Sequence, residues 1–231
     1  MGTCLNYGSA SNPRELQNAS TMKFVKKQYN SFTLENEMKP DAILGSSAKL
    51  ISVADAKKKG YYIPAGYTES TVPELAFTTV DKSLEAAKNN GLKMRAHTLV
   101  WHSQTPSWFF TKNYDGSKVV TPAVMDARLD FYIHNVMGHV MDKEKALTGS
   151  AGSIVYAWDV VNEYLHRPSF AFFKTWTSVY GDMGNSPSYV KKAFEIAYDM
   201  LKSYQATDKV TLFYNCLLYT SDAADDRISV D

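Results

Sequence analysis

Glu163 closes the run Trp158-Asp159-Val160-Val161-Asn162-Glu163, where an apolar stretch ends in an amide and a carboxylate. A lone Glu at a strand end is more often a structural or surface acid than a catalyst, but its neighbours weaken that reading. An apolar strand with Trp158 beside it would partly desolvate the carboxyl group, the setting a general acid needs. Asn162 can offer its amide to a hydroxyl, and two polar residues ending an apolar strand are costly unless they find partners. Asp159 reads either as a buried acid that positions its neighbours or as a partner of His97 or Glu163, with structural support the better reading. Further polar clusters, Glu35-Asn36 and Trp101-His102-Ser103-Gln104, also follow apolar runs. His97 and His102 have neither i, i+4 helical spacing nor a third ligand nearby, so no metal and no other cofactor is expected. His134, His139 and His166 read as helix or loop residues without catalytic duty.

Such residues act together only if the chain gathers them. β-Branched and aromatic runs at 2–7, 31–34, 92–100, 154–161 and 210–214 read as strands. Capping residues followed by proline, at Asn12-Pro13, Thr121-Pro122 and Ser186-Pro187, predict helix starts. After Thr121, the residues Met125, Leu129, Ile133, Val136 and Val140 recur at helical spacing. After Ser186, Val190, Phe194, Ala197, Leu201 and Tyr204 do the same. A further helix is expected over 73–90, with Gly91 as its left-handed cap, and a long loop over 45–71. Strands alternating with helices predict a parallel sheet with right-handed crossovers. In a (β/α) barrel or an open doubly wound sheet, sites form at the carboxyl ends of strands, where these polar residues fall. No strand is followed by a phosphate-binding glycine-rich loop, which argues against a nucleotide site.

Composition removes other classes. The 231 residues suit one sizeable domain, and 25 basic against 24 acidic groups provide no field to recruit nucleic acid or a membrane surface. The runs Lys57-Lys58-Lys59 and Asp142-Lys143-Glu144-Lys145 read as solvated helix ends. No stretch has the apolar length of a membrane span and no signal peptide is evident, although a leader could be missing from the sequence. The 2 cysteines, Cys4 and Cys216, have no metal or disulfide spacing, and Cys4 is expected to be free and buried. Fifteen Tyr, 11 Phe and 4 Trp are compatible either with core packing or with binding the C–H faces of sugar rings. Trp108, Phe109 and Phe110 read as packing residues under a loop.

The hexapeptide ending at Glu163 resembles the acid/base signature of glycoside hydrolase family 10. Arg95-Ala96-His97-Thr98-Leu99-Val100-Trp101-His102-Ser103-Gln104-Thr105-Pro106-Ser107-Trp108 is similar to the family's third-strand motif, and Phe32-Thr33-Leu34-Glu35-Asn36-Glu37-Met38-Lys39 to its second-strand motif. Three blocks in the right order are far more specific than one. The resemblance implies a (β/α)8 TIM barrel that cleaves internal β-1,4 bonds of xylan with retention of configuration. It makes Glu163 the general acid/base and Asn162 the partner of the reacting sugar's 2-hydroxyl. His97 and Lys39 would bind that sugar and its neighbour, Trp101 would floor the subsite, and Glu35, Asn36 and Gln104 would bind one subsite further out. Xylan and xylooligosaccharides are the implied partners, with no nucleic acid and no membrane. Because a polymer cannot enter a cell, the parent protein is expected to be extracellular or at the cell surface.

The resemblance covers about residues 1–215, the first five βα units, and residues 216–231 read as a non-native tail. On this reading the later strands and the nucleophilic Glu are absent, so the chain is expected to be inactive alone and, with open sheet edges, prone to aggregate. Asp222, Asp225 and Asp226 lack a strand that would hold them as replacements. The alternatives are a family member acting on β-1,4-glucans, a non-catalytic xylooligosaccharide-binding remnant, and a metal-dependent barrel hydrolase.

Overall fold

The computed structural model describes residues 1–165, 174–181, 184 and 187–216. Readings that fall on His166, Ser186 and the acidic tail lie outside those residues. In chain order the elements are β1 (Gly2–Leu5), α1 (Ala19–Gln28), β2 (Ser31–Leu34), α2 (Pro40–Leu44), β3 (Leu50–Ser52), α3 (Val53–Lys58) and β4 (Thr71–Pro73). They continue with α4 (Thr78–Asn90), β5 (Lys93–Trp101), α5 (Pro122–Thr148), β6 (Val155–Asn162), α6 (Trp176–Tyr180), α7 (Ser188–Ser203) and β7 (Thr211–Asn215).

Five strands form one parallel sheet in the order β1-β2-β5-β6-β7, so each new strand joins the growing edge. The five expected strands are all present. The sheet does not close on itself among the described residues, leaving β1 and β7 at its edges. The long α5 covers it with the predicted stripe: Met125, Leu129, Ile133, Val136 and Val140 are all buried. On α7, Ala197 and Leu201 are buried, while Val190, Phe194 and Tyr204 pack at the margin. Thr121 caps α5 by accepting from the Val124 N–H, and Gly91 ends α4 at φ 65°, where a side chain would be strained.

Several local expectations are corrected. Asn12-Pro13 opens no α-helix, only a single 3-10 turn at Glu15–Gln17: the Glu15 side chain accepts from the Asn6 N–H and Gln17 from those of Gly8 and Arg14, which folds this segment back on the end of β1. The first α-helix instead starts behind Asn18, whose side chain accepts from the Thr21 N–H at 3.0 Å. The 45–71 stretch is not a plain loop, because it contains β3 and α3. Its strand β3 pairs antiparallel with β4, and that pairing delays α4 from residue 73 to Thr78. Pro187 occupies the cap of α7, one position earlier relative to the helix than expected. Glu144 is not solvated. It is 1% exposed and accepts the N–H groups of Gly152, Ile154 and Val155 at the start of β6. Cys4 is free but exposed, because it lines the open polar cavity of the sheet with Thr33, Glu35 and Arg95.

Candidate active site

The chemistry-bearing residues gather where strands β2, β5 and β6 end. Glu163 directly follows β6 and is fixed on both sides of its chain. Its N–H donates to the Asn215 carbonyl at 2.8 Å, and its side chain accepts from Trp101 Nε1 at 3.0 Å. Its φ of 53° lies in the left-handed region, uncommon for a side-chain-bearing residue and typical of constrained sites. Trp101, not Trp158, is therefore the indole that meets this carboxylate. Trp158 lies on the strand face opposite its neighbour Asp159, where it is buried in the core.

Asn162 is 3% exposed, and its Oδ1 accepts from Asn215 Nδ2 at 2.8 Å, which leaves its own amide nitrogen as the donor. Asn215 at the end of β7 thus holds both members of the Asn162-Glu163 pair.

On β5, His97 Nδ1 lies 2.9 Å from Asp159 Oδ2. A carboxylate there accepts from Nδ1–H and so fixes the orientation of the ring. Arg95 donates to the same carboxylate through Nε at 3.0 and 3.1 Å and Nη2 at 2.5 Å, and its guanidinium lies 4.6 Å from the centre of the Phe213 ring. Burial raises the Asp159 pKa, but the hydrogen bonds from His97 and Arg95 and their charges outweigh it and hold the carboxyl below its usual range. Of the two roles open to Asp159, the geometry supports that of partner to His97.

The second-strand residues stand beside this group. Lys39 Nζ lies 4.9 Å from the centre of the Trp101 ring and donates to Asn36 Oδ1 at 3.2 Å. Gln104 Nε2 donates to Asn36 Oδ1 at 3.3 Å and to Asp41 Oδ2 at 3.1 Å. Glu35 is exposed and shares a cavity of about 420 Å³ with Cys4, Thr33, Arg95, His97, Asp159 and Asn215. A cavity of similar size, about 410 Å³, lies outside the sheet between the hairpin segment, α5 and α7, lined by Tyr62, Phe77, His134 and His139. It contains none of the strand-end groups. Each of these two histidines pairs with an acid, Asp130 and Asp81 respectively, consistent with roles outside catalysis. Among the described residues no group of three or more His, Cys, Asp or Glu is arranged to hold a metal, and no helix is long and apolar enough to cross a membrane.

Of the eight sequence-derived site residues, Glu35, Asn36, Lys39, Trp101, Gln104, Asn162 and Glu163 end or follow strands of one sheet, while His97 lies within β5. The 107–110 segment is packing, as expected: Trp108, Phe109 and Phe110 are buried, and Trp108 Nε1 donates to the Gly45 carbonyl. Sequence reasoning missed four contributors. Arg95 is two residues from His97 and so on the same strand face, a signal that could have been used. Asn215 ends a predicted strand, which was another. Asp41 and Trp176 gave no signal. Trp176 reaches back over 75 residues to donate its indole N–H to the Trp101 carbonyl at 3.3 Å.

Parallel strands joined through helices, with an acid, amides, an imidazole and an indole at their carboxyl ends, define a β/α-barrel type of enzyme scaffold. The chain matches Glycosyl hydrolase family 10 over residues 2–228 and belongs to that family. It is 48% identical over 210 residues to endo-1,4-beta-xylanase A of Butyrivibrio fibrisolvens, covering 90% of this chain and 49% of that protein. Similarity to endo-1,4-beta-xylanase A of Thermotoga neapolitana is 36% over 200 residues, 86% of this chain and 15% of the relative. Among solved structures, the CBM22-1-GH10 modules of Clostridium thermocellum xylanase 10B, complexed with xylohexaose, superpose with TM-score 0.66 at 29% identity, covering 93% of this chain and 37% of that one. The endo-1,4-beta-xylanase of Caldicellulosiruptor owensensis gives 0.57 at 28% identity, with 93% and 49% coverage. The chain therefore spans about half or less of these relatives' length. The fold of the family is the (β/α)8 barrel, of which five strands are seen here.

Proposed function

We propose that this chain carries the acid/base half of an endo-1,4-β-xylanase. Glu163 would protonate the glycosidic oxygen and then, as a base, activate the water that releases the glycosyl-enzyme intermediate. The observation that carries this reading is the setting of Glu163: a carboxylate at the carboxyl end of β6, held by its own N–H and by the Trp101 indole. Asn162 donates its amide to the 2-hydroxyl of the reacting sugar. His97 and Lys39 bind that sugar and its neighbour over Trp101, and Glu35, Asn36 and Gln104 bind the next sugar out.

Retention requires a second carboxylate about 5–5.5 Å from the first. None of the motif residues named above takes that role, so on this reading the chain on its own binds xylooligosaccharides without cleaving them. The same reading has the parent acting on a polymer outside the cell or at its surface. Calorimetric titration with xylotriose, alongside an assay of reducing-sugar release from xylan, tests these statements separately. Binding without release is the expected result. Release of reducing sugar would sink the claim that the nucleophile is missing, and absence of binding would sink the assignment of the sugar ligands.

A further inference from the structure

At the carboxyl ends of β2 and β5 four side chains are joined in a line. Lys39 Nζ donates to Asn36 Oδ1 at 3.2 Å, Gln104 Nε2 donates to the same oxygen at 3.3 Å, and Gln104 Nε2 donates again to Asp41 Oδ2 at 3.1 Å. The two amides inside the line could each point either way, since a carboxamide carries both an acceptor and donors of nearly the same shape. The two ends cannot. An ammonium only donates and an ionised carboxylate only accepts.

We propose that Asp41 is a positioning residue that sets the polarity of this line, making Gln104 an acceptor and Asn36 a donor toward a bound sugar. Both Nε2 hydrogens of Gln104 are directed to oxygens within the line, so the atom it presents outward is Oε1. Asn36 Oδ1 receives two donors, so the group it presents is its Nδ2 amide. A sugar hydroxyl facing Gln104 must then donate, and one facing Asn36 must accept. Asp41 is well held for this task. It is the second residue of α2, and its N–H donates to the Gln104 carbonyl at 2.8 Å, so main chain and side chain of the two residues lock reciprocally. That main-chain bond also satisfies one of the helix's otherwise unpaired first-turn N–H groups. Asp41 reaches no sugar itself in this arrangement and acts through Gln104.

The inference rests on the reading of Asn36, Lys39 and Gln104 as sugar ligands, and the test separates the two. In the sugar-free chain, the Gln104 side-chain amide signals are followed by proton–nitrogen correlation NMR and identified by their loss in Gln104→Glu. They should be dispersed in the parent chain and in Asp41→Asn, whose Oδ1 still accepts. In Asp41→Ala the proton that faced Asp41 should move toward the position of a free amide, while the one bonded to Asn36 Oδ1 stays where it was. Xylotriose affinity should fall about threefold to tenfold in Asp41→Ala, the equivalent of one neutral hydrogen bond, and recover in Asp41→Asn. Should the Ala variant fail to fold, Asp41→Leu, close in shape and without an acceptor, takes its place. Unchanged Gln104 signals with unchanged affinity overturn the proposal. Signals that respond in a chain binding no xylotriose uphold the polarity of the line and overturn the sugar-ligand reading instead.

Discussion

Two buried carboxylates serve opposite ends of β6 and are held by different chemistry. Glu144 sits at the beginning of the strand, where it accepts three backbone N–H groups, from Gly152 at 2.9 Å, Ile154 at 2.7 Å and Val155 at 2.6 Å. Asp159 lies in the carboxyl half of the strand and faces two basic side chains, Arg95 and His97. Burial disfavours the charge on both. At Glu144 burial wins over the three amides and pushes the pKa up, whereas at Asp159 the cationic and imidazole partners win and the pKa is held down. Neutral dipoles satisfy the lone pairs of a carboxylate but do not fully replace its hydration, and an adjacent cation does more. The difference follows the division of labour in a β/α barrel, where the amino ends of strands carry stability and the carboxyl ends carry the site.

The largest effect expected is at the stability end. Glu144→Ala leaves three main-chain N–H groups without their acceptor and should cost about 4 kcal/mol, read from the urea unfolding midpoint in dilute solution. A cost below about 1 kcal/mol would mean that water replaces the carboxylate easily and the contrast between the two ends is false. Asp159→Asn should cost less, about 2 kcal/mol, because Arg95 retains access to solvent. It should also weaken xylotriose binding, by loosening the His97 ring that Glu144 does not touch. If Glu144→Gln weakens binding as much as Asp159→Asn at matched stability, the assignment of separate roles fails.

Acidity gives a sharper separation, since the two linkages have opposite signs. The fold holds the proton of Glu144 more tightly than the unfolded chain does, so its contribution is greatest at low pH and declines as pH rises past the usual value of 4.5. The contribution of Asp159 is full above 3.8 and is lost as pH falls through its lowered folded value. The stability gap between the parent chain and Asp159→Asn should therefore shrink below 3.8, while the gap to Glu144→Gln should grow on acidification. Gaps that move together would show that one global charge effect governs both. The smallest effect belongs to Trp101→Phe, which keeps an aromatic ring, though a smaller one, and removes the N–H donor to Glu163. About a fivefold loss of xylotriose affinity is expected by calorimetry, against no measurable loss in Trp158→Phe if strand alternation separates the two indoles as described.

The site was more legible than the elements around it. Glu163, Asn162 and Trp101 announce themselves because strand ends in this fold are where unsatisfied polarity is tolerated, and local patterning finds strand ends; His97, inside β5, and Lys39 came only through the motif resemblance. The 45–71 segment was misread since its strands are three residues long and gain their identity only by pairing with each other. Asn12-Pro13 was misread for a related reason: Glu15 and Gln17 compete for backbone donors that a helix would otherwise use.

Sequence alone determined the parallel alternation, the buried stripe of α5, the left-handed cap at Gly91 and the set of strand-end residues, because each depends on periodicity or on the conformational limits of single residues. Tertiary structure decided which indole meets Glu163, the pairing of Asp159 with Arg95 and His97, the burial of Glu144 and the line from Lys39 to Asp41. Those features depend on distances between residues far apart in the chain. The pKa of a carboxylate or the outward face of an amide is fixed by whatever the fold sets against it.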